Sequence, residues 1–191
     1  MSIKKRETLY FETDKEWRTW LLENHEISSG IYLILYRVNS EIPSMRWEEA
    51  VRVALCFGWI DSTSKRIDEK KRQQLFTPRR SKSVWSKLNK THIEDLIEKG
   101  LMHHSGLRKI EAAKNDGSWQ VLDHVENLKI PEDLLAAFQN NSVAFKNYKN
   151  FSPSYRKSYL YWLNSAKRSA TRNKRILEII RLCGENIKMR T

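Results

Sequence analysis

Apolar positions along this chain follow two periods, and the change between them divides it. Residues 7–11 read as a short strand. Thr13 and Glu16 have the spacing of a capping box, with Trp17, Trp20 and Leu21 on one side of the helix that follows. This helix is predicted to stop near Asn24. Residues 31–36, Ile-Tyr-Leu-Ile-Leu-Tyr, form an unbroken apolar run rich in β formers, the signature of an internal strand. A second helix is predicted over 45–57, with Trp47, Ala50, Val51, Ala54 and Leu55 as its stripe and Gly58 in a left-handed position at its end. Trp59 and Ile60 restart a strand, residues 72–77 form another, and 59–77 therefore reads as a long charged hairpin.

Beyond Pro78 the period becomes helical. Ser83 is predicted to cap a short helix holding Val84, Trp85 and Leu88. Thr91 and Glu94 then open a second, which Gly100 closes. Leu107, Ile110 and Ala113 mark the next helix, and Pro131 with Glu132 and Asp133 opens another. Ser152-Pro153 begins a longer one, with Tyr155, Tyr159, Trp162, Leu163 and Ala166 inward. A last helix over 170–183 buries Ile176, Ile179, Ile180 and Cys183 and stops at Gly184. The fold class is α+β: a small mixed or antiparallel sheet with flanking helices, and a helical C-terminal half. Residues 1–82 are the α/β portion and 83–191 a helical portion packed with it as one compact unit.

Several phrases taken together resemble a known family. They are Ala54-Leu55-Cys56-Phe57-Gly58-Trp59-Ile60-Asp61, the stretch from Phe76-Thr77-Pro78-Arg79-Arg80 to Ser83-Val84-Trp85-Ser86-Lys87-Leu88-Asn89, and Ala113-Lys114-Asn115-Asp116-Gly117-Ser118-Trp119. Tyr161-Trp162-Leu163-Asn164 and Thr171-Arg172-Asn173-Lys174-Arg175 follow near the end. Over nearly the whole chain the pattern resembles the YdeI/OmpD-associated (OmdA-like) bacteriocin-protection family. The resemblance implies a cytoplasmic protein and brings no active-site assignment with it.

Charge refines the picture. Among 191 residues, 35 Lys and Arg face 23 Asp and Glu, for a net +12. The excess sits in two blocks, +8 over 65–90 and +10 over 140–191, while 1–64 and 91–139 carry −2 and −4. If the blocks meet, they form an anion-attracting face; if they do not, each is a solvated surface. Within the first block, Arg79 and Arg80 follow a rigid Thr-Pro step and suit planar recognition of phosphate or carboxylate. Trp59, Trp85 and Trp119 are candidate pocket walls.

Arg172 lies four residues before Ile176, on the inward face of the last helix and in its first turn, where a cation opposes the macrodipole. It needs an anion: an internal acid such as Asp61 or one from 91–139, or a ligand shared with Lys167, Arg168 and Arg175. Asp61 and Lys114 are the weak catalytic candidates. Asp61 equally reads as a turn cap or arginine partner, and Lys114 as a side chain reaching to solvent.

No apolar stretch is long enough to span a bilayer, and Lys4, Lys5 and Arg6 precede a mixed run without a signal-peptide core. Cys56 and Cys183 read as reduced core thiols. No metal or cofactor is expected, since His103 and His104 would point apart on a helix and the other histidines are single. The sequence thus fits a non-catalytic binding or stress-protection protein with a basic anion-recognising cleft, whose partner is a small anion or another protein. An enzyme on a phosphorylated or carboxylated substrate, and a non-specific nucleic-acid binder, remain as alternatives.

Overall fold

In the computed structural model, which describes residues 6–190, Thr13 caps the first helix as its spacing predicts: its hydroxyl accepts from the Glu16 amide at 3.3 Å. Glu16 reaches back one residue further than a standard capping box, to the Glu12 amide at 2.9 Å. The helix so opened, α1 (Asp14–Asn24), links β1 (Thr8–Tyr10) to β2 (Ile31–Tyr36), which pair in parallel and so require a crossover between them. Trp17 is fully buried, and its indole N–H donates to the Ala50 carbonyl at 3.1 Å. That bond ties α1 to α2 (Trp47–Cys56), a helix buried on most of its circumference because it also packs on β3, α3 and α4.

Gly58 takes φ +73° and turns the chain from α2 into β3 (Trp59–Arg66), which pairs antiparallel with β4 (Lys71–Pro78). Among the described residues the sheet has four strands in the order β1-β2-β4-β3, so the apolar β2 is internal and the charged β3 forms an edge. Two helices complete this unit, α3 (Lys87–Glu98) and α4 (His104–Asn115).

The structure corrects the helix starts expected after Pro78. Ser86, not Ser83, is the cap, accepting from the Asn89 amide at 3.3 Å, and Trp85 lies before the helix rather than in it. Thr91 opens nothing: no breaker separates it from Ser86, so one continuous α3 replaces two short helices. Leu107 faces solvent, while Ser105, Gly106, Ile110 and Ala113 form the buried side of α4.

The chain divides into two compact units, the first ending at Gln120 and the second beginning at Val121. In the second, α9 (Ser169–Gly184) packs against α6 (Glu132–Gln139), α7 (Ser142–Asn150) and α8 (Pro153–Asn164), while the single-turn α5 (Asp123–Glu126) packs on α8. Leu134, Phe138, Tyr148, Tyr159, Leu160, Leu163, Ile179 and Cys183 form its core. The sequence reading passed over α7, whose inward pair is Ala144 and Tyr148. Gly184 ends α9 from inside the helix, and the left-handed residue is Asn186 at φ +56°. Burial pushes both thiols up, Cys183 to about 12. Lys4 and Lys5, from the basic start of the chain, lie outside the described residues.

Candidate functional site

Where β4 ends, the Arg79 amide donates to the Gly58 carbonyl at 2.9 Å, and the Arg79 side chain turns inward. It is only 4% exposed. Its guanidinium carbon lies 3.5 Å from the centre of the Trp85 ring, a stacked cation–π contact. Nη1 donates to the Val84 carbonyl at 3.2 Å and to Ser83 Oγ at 3.4 Å, whereas Nε has no partner. Among the described residues no acidic side chain forms an ion pair with it. Burial therefore lowers its pKa to about 10, and the charge of Asp61 opposes this only in part.

The loop that follows is shaped for close contact. Lys82 takes φ +60°, a left-handed conformation uncommon outside glycine. Asp116, just past α4, holds the loop from the other side. Its carboxyl is kept below the usual range chiefly by Ser118, whose amide donates to Oδ1 at 2.9 Å while its hydroxyl has no partner, and in smaller part by the nearby Lys82. Between loop and helix lies a small cavity of about 90 Å³, bordered by Arg79, Arg80, Lys82, Lys109, Asp116 and Ser118. Four cations thus border one small space with a single carboxylate, and the most buried of the four has none of its own. Such a space suits an anion.

Of the residues marked in the sequence, the structure brings Arg79, Arg80 and Trp85 to this cavity. Trp119 packs on Trp85 with ring centres 5.1 Å apart, and the exposed Lys114 places its ammonium 5.5 Å from the Trp119 ring. Asp61 does not border the cavity. It accepts from Trp47 Nε1 at 2.9 Å and from the buried Gln74 amide at 3.0 Å, which anchors the sheet to α2. Trp59 is a core residue, its indole N–H donating to the His25 carbonyl at 3.1 Å. Sequence reasoning missed Lys109, Asp116 and Ser118. The turn-forming Asn-Asp-Gly-Ser after an amphipathic helix was their one visible signal. His103 and His104 were expected to point apart. Because His103 is the extended N-cap of α4, their rings instead lie 3.9 Å apart.

The other expected cations lie in the second unit and are mostly occupied. Arg172 makes two bonds to Asp133, Nε to Oδ2 at 2.5 Å and Nη2 to Oδ1 at 3.0 Å, joining the first turns of α9 and α6. Arg175 donates to Ser165 Oγ at 2.8 Å and to the Trp162 carbonyl, and lies over the Trp162 ring. Lys167 and Arg168 are exposed. Arg172→Ala is therefore expected to cost about 1–2 kcal/mol, discounted because Asp133 is partly solvated, while the exposed Lys174→Ala stays within about 0.5 kcal/mol. Asp133 is held below its ordinary pKa chiefly by the hydrogen bond from Arg172. A depressed carboxyl contributes above its unfolded value, 3.8, and loses that contribution as pH falls through its folded value. Urea melts should accordingly show the gap between wild type and Arg172→Ala at neutral pH and its closure in acid. Equal melts for both variants at neutral pH would contradict the pairing.

These features define an α+β protein whose first unit carries a buried arginine without an acid and whose second is an all-helical bundle. Residues 9–109 match the family described as Domain of unknown function (DUF8412), and the chain belongs to that family. Residues 127–186 match a further family, described as Bacteriocin-protection, YdeI or OmpD-Associated. No curated protein and no solved structure matches the chain. Among the described residues, no group of three or more His, Cys, Asp and Glu could hold a metal ion, and no helix is long and apolar enough to cross a membrane.

Proposed function

We propose that this is a non-catalytic, cytoplasmic binding protein that recognises a small anionic group, phosphate or carboxylate, in the cavity around Arg79. Its biological service is bacteriocin or stress protection, in keeping with the description of the family matched at 127–186. The observation that carries the reading is the burial of Arg79 without an acidic partner, in a loop whose other cations face the same space. A buried charge is costly unless paired, and a bound anion supplies the missing partner. Two buried, unpaired thiols fit a reducing compartment. An acid–base reaction at this site has less support, because neither Asp61 nor Lys114 borders the cavity.

Melting in a phosphate series at fixed ionic strength, with acetate and chloride series beside it, tests the reading. Phosphate or acetate should raise the midpoint in a saturable way, by the equivalent of about 2.7 kcal/mol at a hundredfold excess over Kd, and chloride should not. Lys109→Gln and Arg80→Gln should each weaken the response several-fold without abolishing it. A midpoint indifferent to both anions across the series would sink the proposal.

A further inference from the structure

A second basic cavity lies at the opposite end of β4, roughly 20 Å from Arg79 by the length of the strand. Stepping by two from the buried Phe76 brings Gln74 and then Arg72 to the core face of the sheet, opposite Leu33 and Leu35 on β2. On the other side Arg72 is paired in register with Arg66 of β3. Two guanidinium groups directly across a ladder repel each other. The helix α2 begins too late to cover them, and the segment from Arg37 to Arg46 closes the remaining side. The result is an open cavity of about 510 Å³, within the range of small-molecule sites.

Its charges are unbalanced. Arg66 pairs with Glu69 and Lys71 with Asp68, both at the hairpin turn. Arg37, Arg46 and Arg72 form no ion pair among the described residues. The wall between them is apolar, built from Leu35, Met45 and Trp47. Trp47 packs one side against the core and commits its N–H to Asp61, which leaves ring surface at the cavity. Three unanswered arginines call for linked anions rather than one, and the Trp47 ring beside them calls for a planar group attached to those anions.

We infer that this cavity is a nucleotide-binding site, with the base against Trp47 and the phosphates on Arg37, Arg46 and Arg72. The site is independent of the one at Arg79, and the nucleotide is either free or part of a single strand.

Isothermal titration at fixed ionic strength with adenosine triphosphate, inorganic tripolyphosphate and a short oligothymidylate tests the assignment. Adenosine triphosphate should bind more tightly than tripolyphosphate. Its affinity should fall at least about tenfold in the Arg37→Gln/Arg46→Gln/Arg72→Gln triple variant, whose exposed substitutions leave the circular dichroism unchanged. Trp47→Leu should remove the advantage over tripolyphosphate and Trp47→Phe should retain it. For the oligonucleotide, the triple variant should flatten the dependence of log affinity on log salt by roughly two. Tighter binding of the oligonucleotide supports a strand as the source; tighter binding of adenosine triphosphate supports a free nucleotide. The preference for adenosine triphosphate over tripolyphosphate, and its loss in the triple variant, should persist in the Arg79→Met background, where the other anion site is removed. Equal affinities for adenosine triphosphate and tripolyphosphate, binding unaffected by the triple variant, or no binding at low salt would each overturn the inference.

Discussion

Gly106→Ala is expected to destabilise the first unit by more than ~3 kcal/mol, although it adds a single methyl group. A Cβ at this position would stand 2.2 Å from the Cys56 oxygen, 2.8 Å from the Cys56 carbonyl carbon and 2.9 Å from the Leu55 oxygen. All three are backbone atoms, so no rotamer change can relieve the clash. The seam is also hydrogen-bonded. The His103 amide donates to the Cys56 carbonyl at 3.1 Å, and Ser105 Oγ to the Phe57 carbonyl at 3.2 Å. Moving α4 away to admit the methyl would break both bonds and displace Lys109 from the Arg79 cavity. Two other glycines serve as controls. Gly184 has open space around it within a helix, so Gly184→Ala should stabilise by about 0.5–1 kcal/mol. Gly100→Ala also meets no atom within 4 Å but sits at φ +65°, so its cost is confined to about 1 kcal/mol of backbone strain. Urea melts should find Gly106→Ala the least stable of the three, Gly100→Ala intermediate and Gly184→Ala the most stable. A Gly106→Ala protein within about 1 kcal/mol of wild type would mean that α4 does not approach the end of α2 this closely.

The same seam shows where sequence patterns inform and where they stop. The unbroken apolar run at 31–36 announced an internal strand, and β2 is one. Thr13 and Gly58 marked a cap and a turn because each acts locally, through its own hydroxyl or its own φ. Gly106 carries no such local mark, since its helical conformation would suit alanine and only the carbonyl of Cys56, fifty residues earlier, forbids it. The misplaced start of α3 is a contest between two good caps, Ser83 and Ser86, settled by the burial of Trp85 ahead of the helix. Adjacent Arg79 and Arg80 pose the same problem for the site. Charge counting treats them alike, yet one is stacked on Trp85 and the other is exposed. Arg172 was legible as an inward cation in need of an acid, because helical spacing fixes its face; which acid answers it depends on how α6 packs on α9. Arg72 had a readable sign that the charge totals hid: it shares the alternation of Phe76 and Gln74 and so falls on a face where the strand beside it presents leucine.

Arg79→Met should separate stability from binding. Burial lowers the arginine from its ordinary value to about 10, which corresponds to about 3 kcal/mol held against the charged form. A base whose folded pKa is lowered carries that cost at every pH below about 10, and is relieved of it only as pH climbs towards its unfolded value. The contact with Trp85 and the bonds to Val84 and Ser83 offset much of the cost in the unliganded protein. Methionine removes the charge, fills a similar volume and keeps a favourable sulfur contact with the indole. The unliganded variant should therefore stay within about 1 kcal/mol of wild type or exceed it. Its affinity for phosphate should nevertheless fall by at least about thirtyfold, since losing a buried charge-assisted partner commonly costs about 2 kcal/mol or more. Arg79→Lys should fall between the two, because an ammonium keeps the charge without the planar fork that stacks on Trp85. Phosphate titrations followed by ³¹P line width, beside denaturant melts of the unliganded proteins, read both quantities. Severe destabilisation of Arg79→Met with no phosphate response in wild type would identify Arg79 as a structural cation and remove the anion site.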